Sequence, residues 1–184
     1  MFTVWTIGHS NHPLEKFIAI LQSHRIEVVA DVRRFPGSRL HPQFNQSSFA
    51  RSLNSIGIDY ASFPDLGGRR TPHPNSKNTA WRNPSFRGYA DYMETHEFRN
   101  AIHRLVKIAE AKRTAVLCAE AVWWQCHRSL IADDLKSQNI QVLHILNEKK
   151  IEPHSYTKPA RIVNGRLTYQ EDSQCQFWTE TSFK

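Results

Sequence analysis

The sequence predicts an α/β fold: a mainly parallel sheet of about five strands flanked by helices, Rossmann-like, with a C-terminal β-hairpin extension. Two observations carry this. Short β-branched apolar runs alternate with segments of helical spacing, the pattern of a parallel sheet with crossover helices. Near the end, Asn164-Gly165 separates two further apolar runs, the commonest two-residue hairpin turn.

The elements follow in order. Thr3-Val-Trp-Thr-Ile7 is a buried strand by its β-branched, apolar character. After Gly8-His9-Ser10, Ser10 or Asn11 can cap a helix with Pro13 in its first turn. Leu14, Phe17, Ile18 and Leu21 then recur at helical spacing. Glu27–Val32 forms a second strand, stopped by the turn Arg33-Arg34-Phe35-Pro36-Gly37. A helix from Ser47 or Ser48 to near Gly57 carries Phe49 and Leu53. Ile58–Phe63 is a third strand. Residues 67–88 form a long polar loop, longer than ordinary connections and therefore a candidate functional element. Residues 89–112 are helical, Thr114–Cys118 is a fourth strand, a helix starts near Cys126-His127-Arg128, and Gln141–Leu146 is a fifth strand. One α/β domain is expected over 1–184, with its core in 1–146 and an extension in 147–184.

Composition limits the function. With 40% hydrophobic and 22% charged residues the 184-residue chain is ordinary for a globular protein. No apolar run of about 18 residues exists to span a membrane, and no secretory leader pattern opens the chain. Cys118, Cys126 and Cys175 are too few, and odd in number, for a disulfide scaffold, so a cytoplasmic protein with reduced thiols is expected. The net charge is +7 and the pI about 9.5. Residues 25–88 hold ten basic and four acidic residues, so +6 of the +7 lies there, and nine of the ten bases are arginine. Arginine's planar fork of donors suits phosphates and carboxylates. The stretch is either a solvated basic face or an anion-binding surface.

Ligands of open α/β sheets gather at the carboxyl ends of the strands. Here those ends carry His9 and Ser10; Asp31, Arg33 and Arg34; Gly67, Gly68 and Arg69; and Cys118 and Glu120. Cys126, His127 and Arg128 open the next helix. The stretches Thr6-Ile-Gly-His-Ser10, Asp31-Val-Arg-Arg-Phe-Pro36 with Ser38, Leu66-Gly-Gly68, Phe86-Arg-Gly-Tyr-Ala-Asp-Tyr-Met93, and Cys118-Ala-Glu120 with Cys126-His-Arg128, taken in this order, resemble the bacterial and archaeal domain of unknown function 488. The resemblance spans about residues 6–146. It implies an α/β fold and a pocket built from these motifs, and no reaction.

The residues themselves suggest chemistry. Asp31 and Glu120 are acid–base candidates, or else they orient neighbouring arginines. His9 is a proton shuttle or a hydrogen-bonded core histidine. Cys126, near a helix N-terminus beside His127 and Arg128, is a candidate nucleophile or a small buried residue. Cys118, among apolar neighbours, is expected in the core. Ser10, Arg33, Arg34, Gly67, Gly68, Arg69, Tyr89, His127 and Arg128 are candidate substrate-binding residues. Seven residues separate Cys118 from Cys126, against the two to four of structural zinc sites, so neither metal nor cofactor is expected. No Cys-x5-Arg loop, Walker loop or Gly-x-Gly-x-x-Gly fingerprint is present. The expected function is an enzyme acting on a phosphate-bearing or otherwise anionic substrate, a nucleotide or nucleic-acid base, with the 67–88 segment as a lid. The alternative is a non-catalytic nucleic-acid-binding or regulatory module using the basic 25–88 surface. A third possibility is redox sensing through Cys118 and Cys126, which requires their sulfurs to reach disulfide distance. The partner is thus an anionic small molecule or nucleic acid, with no membrane and the oligomeric state open.

Overall fold

The computed structural model describes residues 2–171. Its main sheet has six strands: β1 (Thr3–Gly8), β2 (Val28–Asp31), β3 (Asp59–Ser62), β4 (Thr114–Cys118), β5 (Gln141–Ile145) and β6 (Ile151–Pro153), in the spatial order β3-β2-β4-β1-β5-β6. The first five are parallel, as expected. The sixth pairs antiparallel with β5 and was not anticipated. A separate hairpin, β7 (Arg161–Val163) and β8 (Arg166–Thr168), turns at Asn164 and Gly165, both with positive φ as a primed turn requires. Cys175 lies outside the described residues. Among those described, no helix is long and apolar enough to cross a membrane.

The central strands β2, β4 and β1 are buried on both faces because helices cover both. On one side α1 (Leu14–Ser23) and α2 (Gln46–Asn54) lay Phe17, Leu21, Phe49 and Leu53 against Trp5, Ile7, Val29 and Leu117. On the other, α3 (Pro84–Met93), α4 (His96–Ala111) and α5 (Arg128–Ser137) lay Tyr89, Phe98, Leu105 and Leu130 against Val4, Ala30 and Val116. Alternate residues of each strand serve alternate layers.

Several helix boundaries differ from the sequence reading. Pro13, not Ser10 or Asn11, is the N-cap of α1, and no side chain caps it. Helix α2 begins at Gln46. The loop after β3 ends at Asn83, whose side chain caps α3 by accepting from Ser85 N, with Pro84 at the first helical position. The 89–112 helix is the end of α3 plus α4, broken where Thr95 caps the second by accepting from Phe98 N.

The connections fix where a ligand can go. From β1 the chain leaves through α1 on one face; from the neighbouring β4 it leaves through α5 on the other. A crevice therefore opens between the carboxyl ends of β1 and β4, the topological switch point of the sheet. There the two backbones join, His9 N donating to Cys118 O (3.0 Å) and Ser10 N to Ala119 O (2.9 Å). A Cβ on Gly8 would come within 1.8 Å of the Glu120 carbonyl oxygen, so this approach needs glycine.

Candidate functional site

A cleft of about 410 Å³ opens beside this switch point, over the carboxyl ends of β2 and β4. The turn after β2 supplies Arg33, Arg34 and Phe35 to its wall; the 67–88 segment and the first turn of α3 supply Gly68, Arg69 and Phe86; the chain after β4 supplies Cys118, Glu120, Cys126 and His127.

Arg33 is held in place. Asp31, at the end of β2, accepts from its Nε (2.9 Å), its Nη2 (2.5 Å) and its backbone N (3.0 Å), and also from the Tyr60 hydroxyl (2.7 Å). Burial works against the Arg33 charge, but these bonds outweigh it and raise its pKa. Burial and the Asp31 charge likewise push the Tyr60 hydroxyl up. The Asp31 carboxylate thus faces Arg33 and Tyr60 rather than the cleft. Arg33 Nη1 lies 3.2 Å from His9 Nε2, while His9 Nδ1 lies 2.8 Å from the Ser10 carbonyl. A carbonyl only accepts, so Nδ1 carries the proton and Nε2 accepts from Arg33. Burial lowers the His9 pKa to about 4, consistent with that neutral ring, which stacks on Phe44 at 4.2 Å.

Opposite this arm, Cys118 at the end of β4 and Cys126 and His127 at the start of α5 converge. His127 Nδ1 is 3.9 Å from the Cys118 sulfur and 3.7 Å from the Cys126 sulfur. A 3-10 turn at Trp123–Gln125 folds the intervening chain back to achieve this. Hydrogen bonding from Cys126, together with His127 and the Arg128 charge, holds the Cys118 thiol well below the ordinary range; burial and the partner sulfur push Cys126 up. Gly68 borders the ring: a Cβ there would sit 2.8 Å from His127 Nδ1. His127 Nε2 is buried without a partner among the described residues. The Glu120 side chain is exposed to the cleft, and no hydrogen bond engages its carboxylate among the described residues.

Four expected ligand-binding residues sit elsewhere. Arg128, 2% exposed, donates Nη1 to the Glu120 and Ile7 carbonyls and Nη2 to the Ala121 carbonyl. It clamps the chain after β4 onto β1 from behind the cleft and does not line it. Tyr89 backs His127 at 5.1 Å between rings and donates to the Leu66 carbonyl. Ser10 turns in the left-handed region (φ 49°) with its hydroxyl on Asn11. Gly67 lets the Arg34 backbone approach, a Cβ there meeting it at 2.6–2.8 Å. In return, Cys118, expected in the core, is part of the cleft wall. Its position as the last residue of a strand was the available sign.

The sequence model of the domain of unknown function DUF488 matches residues 13–135, about two thirds of the chain. The chain belongs to this family. The DUF488 match takes in the Asp31–Pro36, Leu66–Gly68, Phe86–Met93 and Cys118–Arg128 motifs and every residue that lines the cleft. No curated protein and no solved structure matches the chain.

Proposed function

We propose that this DUF488 protein is an enzyme that binds an anionic, phosphate-bearing substrate in the cleft over the ends of β2 and β4. The observation that carries the reading is that Arg33, Arg34 and Arg69 line one cavity together with two thiols, an imidazole and an unengaged carboxylate. Three guanidinium groups around a concave, partly desolvated space favour an anion far more than they would on open surface. Asp31 and neutral His9 position Arg33. Glu120 is the acid–base residue, since its carboxylate is both exposed to the cleft and unpartnered. Arg25 precedes β2 at the end of the sheet away from the cleft, whereas Arg33, Arg34 and Arg69 line one concave space, and this favours a small ligand over a nucleic-acid backbone.

Calorimetric titration with inorganic phosphate and nucleoside monophosphates tests the anion site. Each of Arg34→Ala and Arg69→Ala should weaken binding about tenfold, the loss of a charged hydrogen bond. With a phosphate-bearing substrate found by product mass spectrometry, Glu120→Gln should abolish turnover and keep affinity. Absence of anion binding, or affinity indifferent to both arginines, overturns the proposal. Binding to single-stranded DNA or RNA with a steep salt dependence and no turnover would support the nucleic-acid module instead.

A further inference from the structure

We infer that Cys118, Cys126 and His127 form a binding site for a thiophilic divalent cation, zinc by its chemistry, with an open coordination position facing the cleft. One ligand atom from each of the three residues lies within 4.8 Å of the others. Zinc bonds of about 2.3 Å to sulfur and about 2.0–2.1 Å to nitrogen, arranged as a tetrahedron, place neighbouring ligand atoms roughly 3.5–3.8 Å apart. The two sulfur-to-Nδ1 separations are 3.9 and 3.7 Å, within a few tenths of an ångström of that geometry, and the two sulfurs lie within 4.8 Å of each other. Gly68 leaves the space beside Nδ1 unfilled, where any side chain would press on the ligating nitrogen.

Ligand type narrows the ion. Two sulfurs and an imidazole select zinc and similar soft or borderline ions over magnesium or calcium. Three protein ligands, rather than four, are the pattern of zinc sites that keep a position for water or substrate. All three residues line the cleft, as does Glu120, which can supply the fourth ligand or act beside it. The seven-residue spacing that argues against a zinc knuckle is irrelevant to a site closed by a strand end, a 3-10 turn and a helix start.

The test uses the whole chain, kept reduced and stripped of metal with a chelator. It should take up one equivalent of Zn²⁺ or Co²⁺. The Co²⁺ form should show tetrahedral ligand-field bands and a thiolate charge-transfer band. X-ray absorption at the zinc edge should count two sulfur and two nitrogen or oxygen ligands. Cys118→Ser, Cys126→Ser and His127→Ala should each weaken binding by more than the roughly 10–100-fold that an outer-shell loss produces, whereas Cys175→Ser should change nothing. No uptake, an octahedral cobalt spectrum, a sulfur count other than two, or dependence on Cys175 overturns the proposal. The absorption measurement needs only the unmodified protein, so a variant that fails to fold leaves the test intact. Anion affinity of the metal-free protein reports on the substrate cleft separately, so the two readings fail independently.

Discussion

His127 at the start of α5 and Asp133, less than two turns further along it, belong to two polar clusters built on opposite terms. The second cluster is closed. Asp133 accepts from His154 Nε2 (2.9 Å), Thr157 N (2.9 Å), the Thr157 hydroxyl (2.5 Å) and the Tyr169 hydroxyl (2.9 Å). With Nε2 of His154 donating, its Nδ1 accepts from His144 Nε2 (2.9 Å), and His144 Nδ1 accepts from the Thr6 hydroxyl (2.6 Å). Trp123 seals this chain by stacking on His144 at 4.1 Å. The side-chain oxygens of Asp133, Thr157, Tyr169 and Thr6 and the ring nitrogens of His154 and His144 are all partnered, the indole nitrogen of Trp123 alone being left over among the described residues, and the hydrogen-bonded members come from β1, α5, β5 and residues 154–169. It is a buried fastener holding the C-terminal segment to the sheet. The cleft cluster leaves His127 Nε2 and the Glu120 carboxylate unpartnered. A satisfied polar network specifies structure; an unsatisfied one beside a cavity has capacity left for a ligand.

Removing one acceptor from each cluster should expose the contrast. Asp133→Ala leaves three buried partners stranded and should lower stability by about 3–5 kcal/mol, read from urea unfolding, with amide exchange in residues 151–169 accelerating first. A loss below about 1 kcal/mol would mean that the network does not fasten that segment. Asp31→Asn keeps one oxygen that can still accept from the Tyr60 hydroxyl but removes the charge that pairs Arg33, which can turn into the open cleft and meet water, so about 2–3 kcal/mol is expected. Inorganic phosphate should then raise the melting temperature of this variant more than that of the original protein. Equal shifts would break the distinction between a closed and an open cluster.

The third effect is pH-dependent and, for each single pH unit, the smallest. Burial, with the neighbouring His154 and Arg128, lowers the His144 pKa from 6.5 to about 3, so the folded protein keeps this ring neutral while the unfolded chain protonates it below 6.5. The contribution is complete above pH 6.5 and is lost as pH falls towards 3. Within that window stability should drop by about 1.4 kcal/mol per pH unit on account of this one histidine. His144→Gln should flatten the pH dependence of the urea midpoint by that share; an unchanged slope would show that His144 is protonated in the fold.

The comparison also explains what could be read from the chain. The five parallel strands were legible from their β-branched and apolar content, least so in β3, where Asp59 and Ser62 are exposed, and the residues at their ends pointed to one rim. Strand β6 was not: Ile151–Pro153 is three residues long, follows two lysines, and is defined by its hydrogen bonds to β5. Arg128 looked like an anion ligand beside Cys126 and His127, but its donors meet carbonyls of Ile7, Glu120 and Ala121, whose positions depend on the path of a distant strand and loop. Cys118 packs in the core as its apolar neighbours Val116 and Leu117 suggest, but a one-dimensional pattern does not reveal that the same residue also borders a cavity where the strand runs out. The closeness of Cys118 to His127 rests on the 3-10 turn at Trp123–Gln125, which carries no spacing rule of its own.

The order of the sheet has a consequence for the making of the protein. Strand β1 is bordered on both sides by strands that come over a hundred residues later: Gly8 lies against Cys118, and Thr3 against Gln141. At about 5–20 residues per second, a ribosome delivers β4 roughly 5–20 s after β1. Throughout that interval the apolar run Val4–Ile7 is synthesised but has neither neighbour, while β2 and β3 can already pair with each other. The centre of the finished sheet is thus the stretch of nascent chain that waits longest, and the one for which a chaperone's temporary cover matters most.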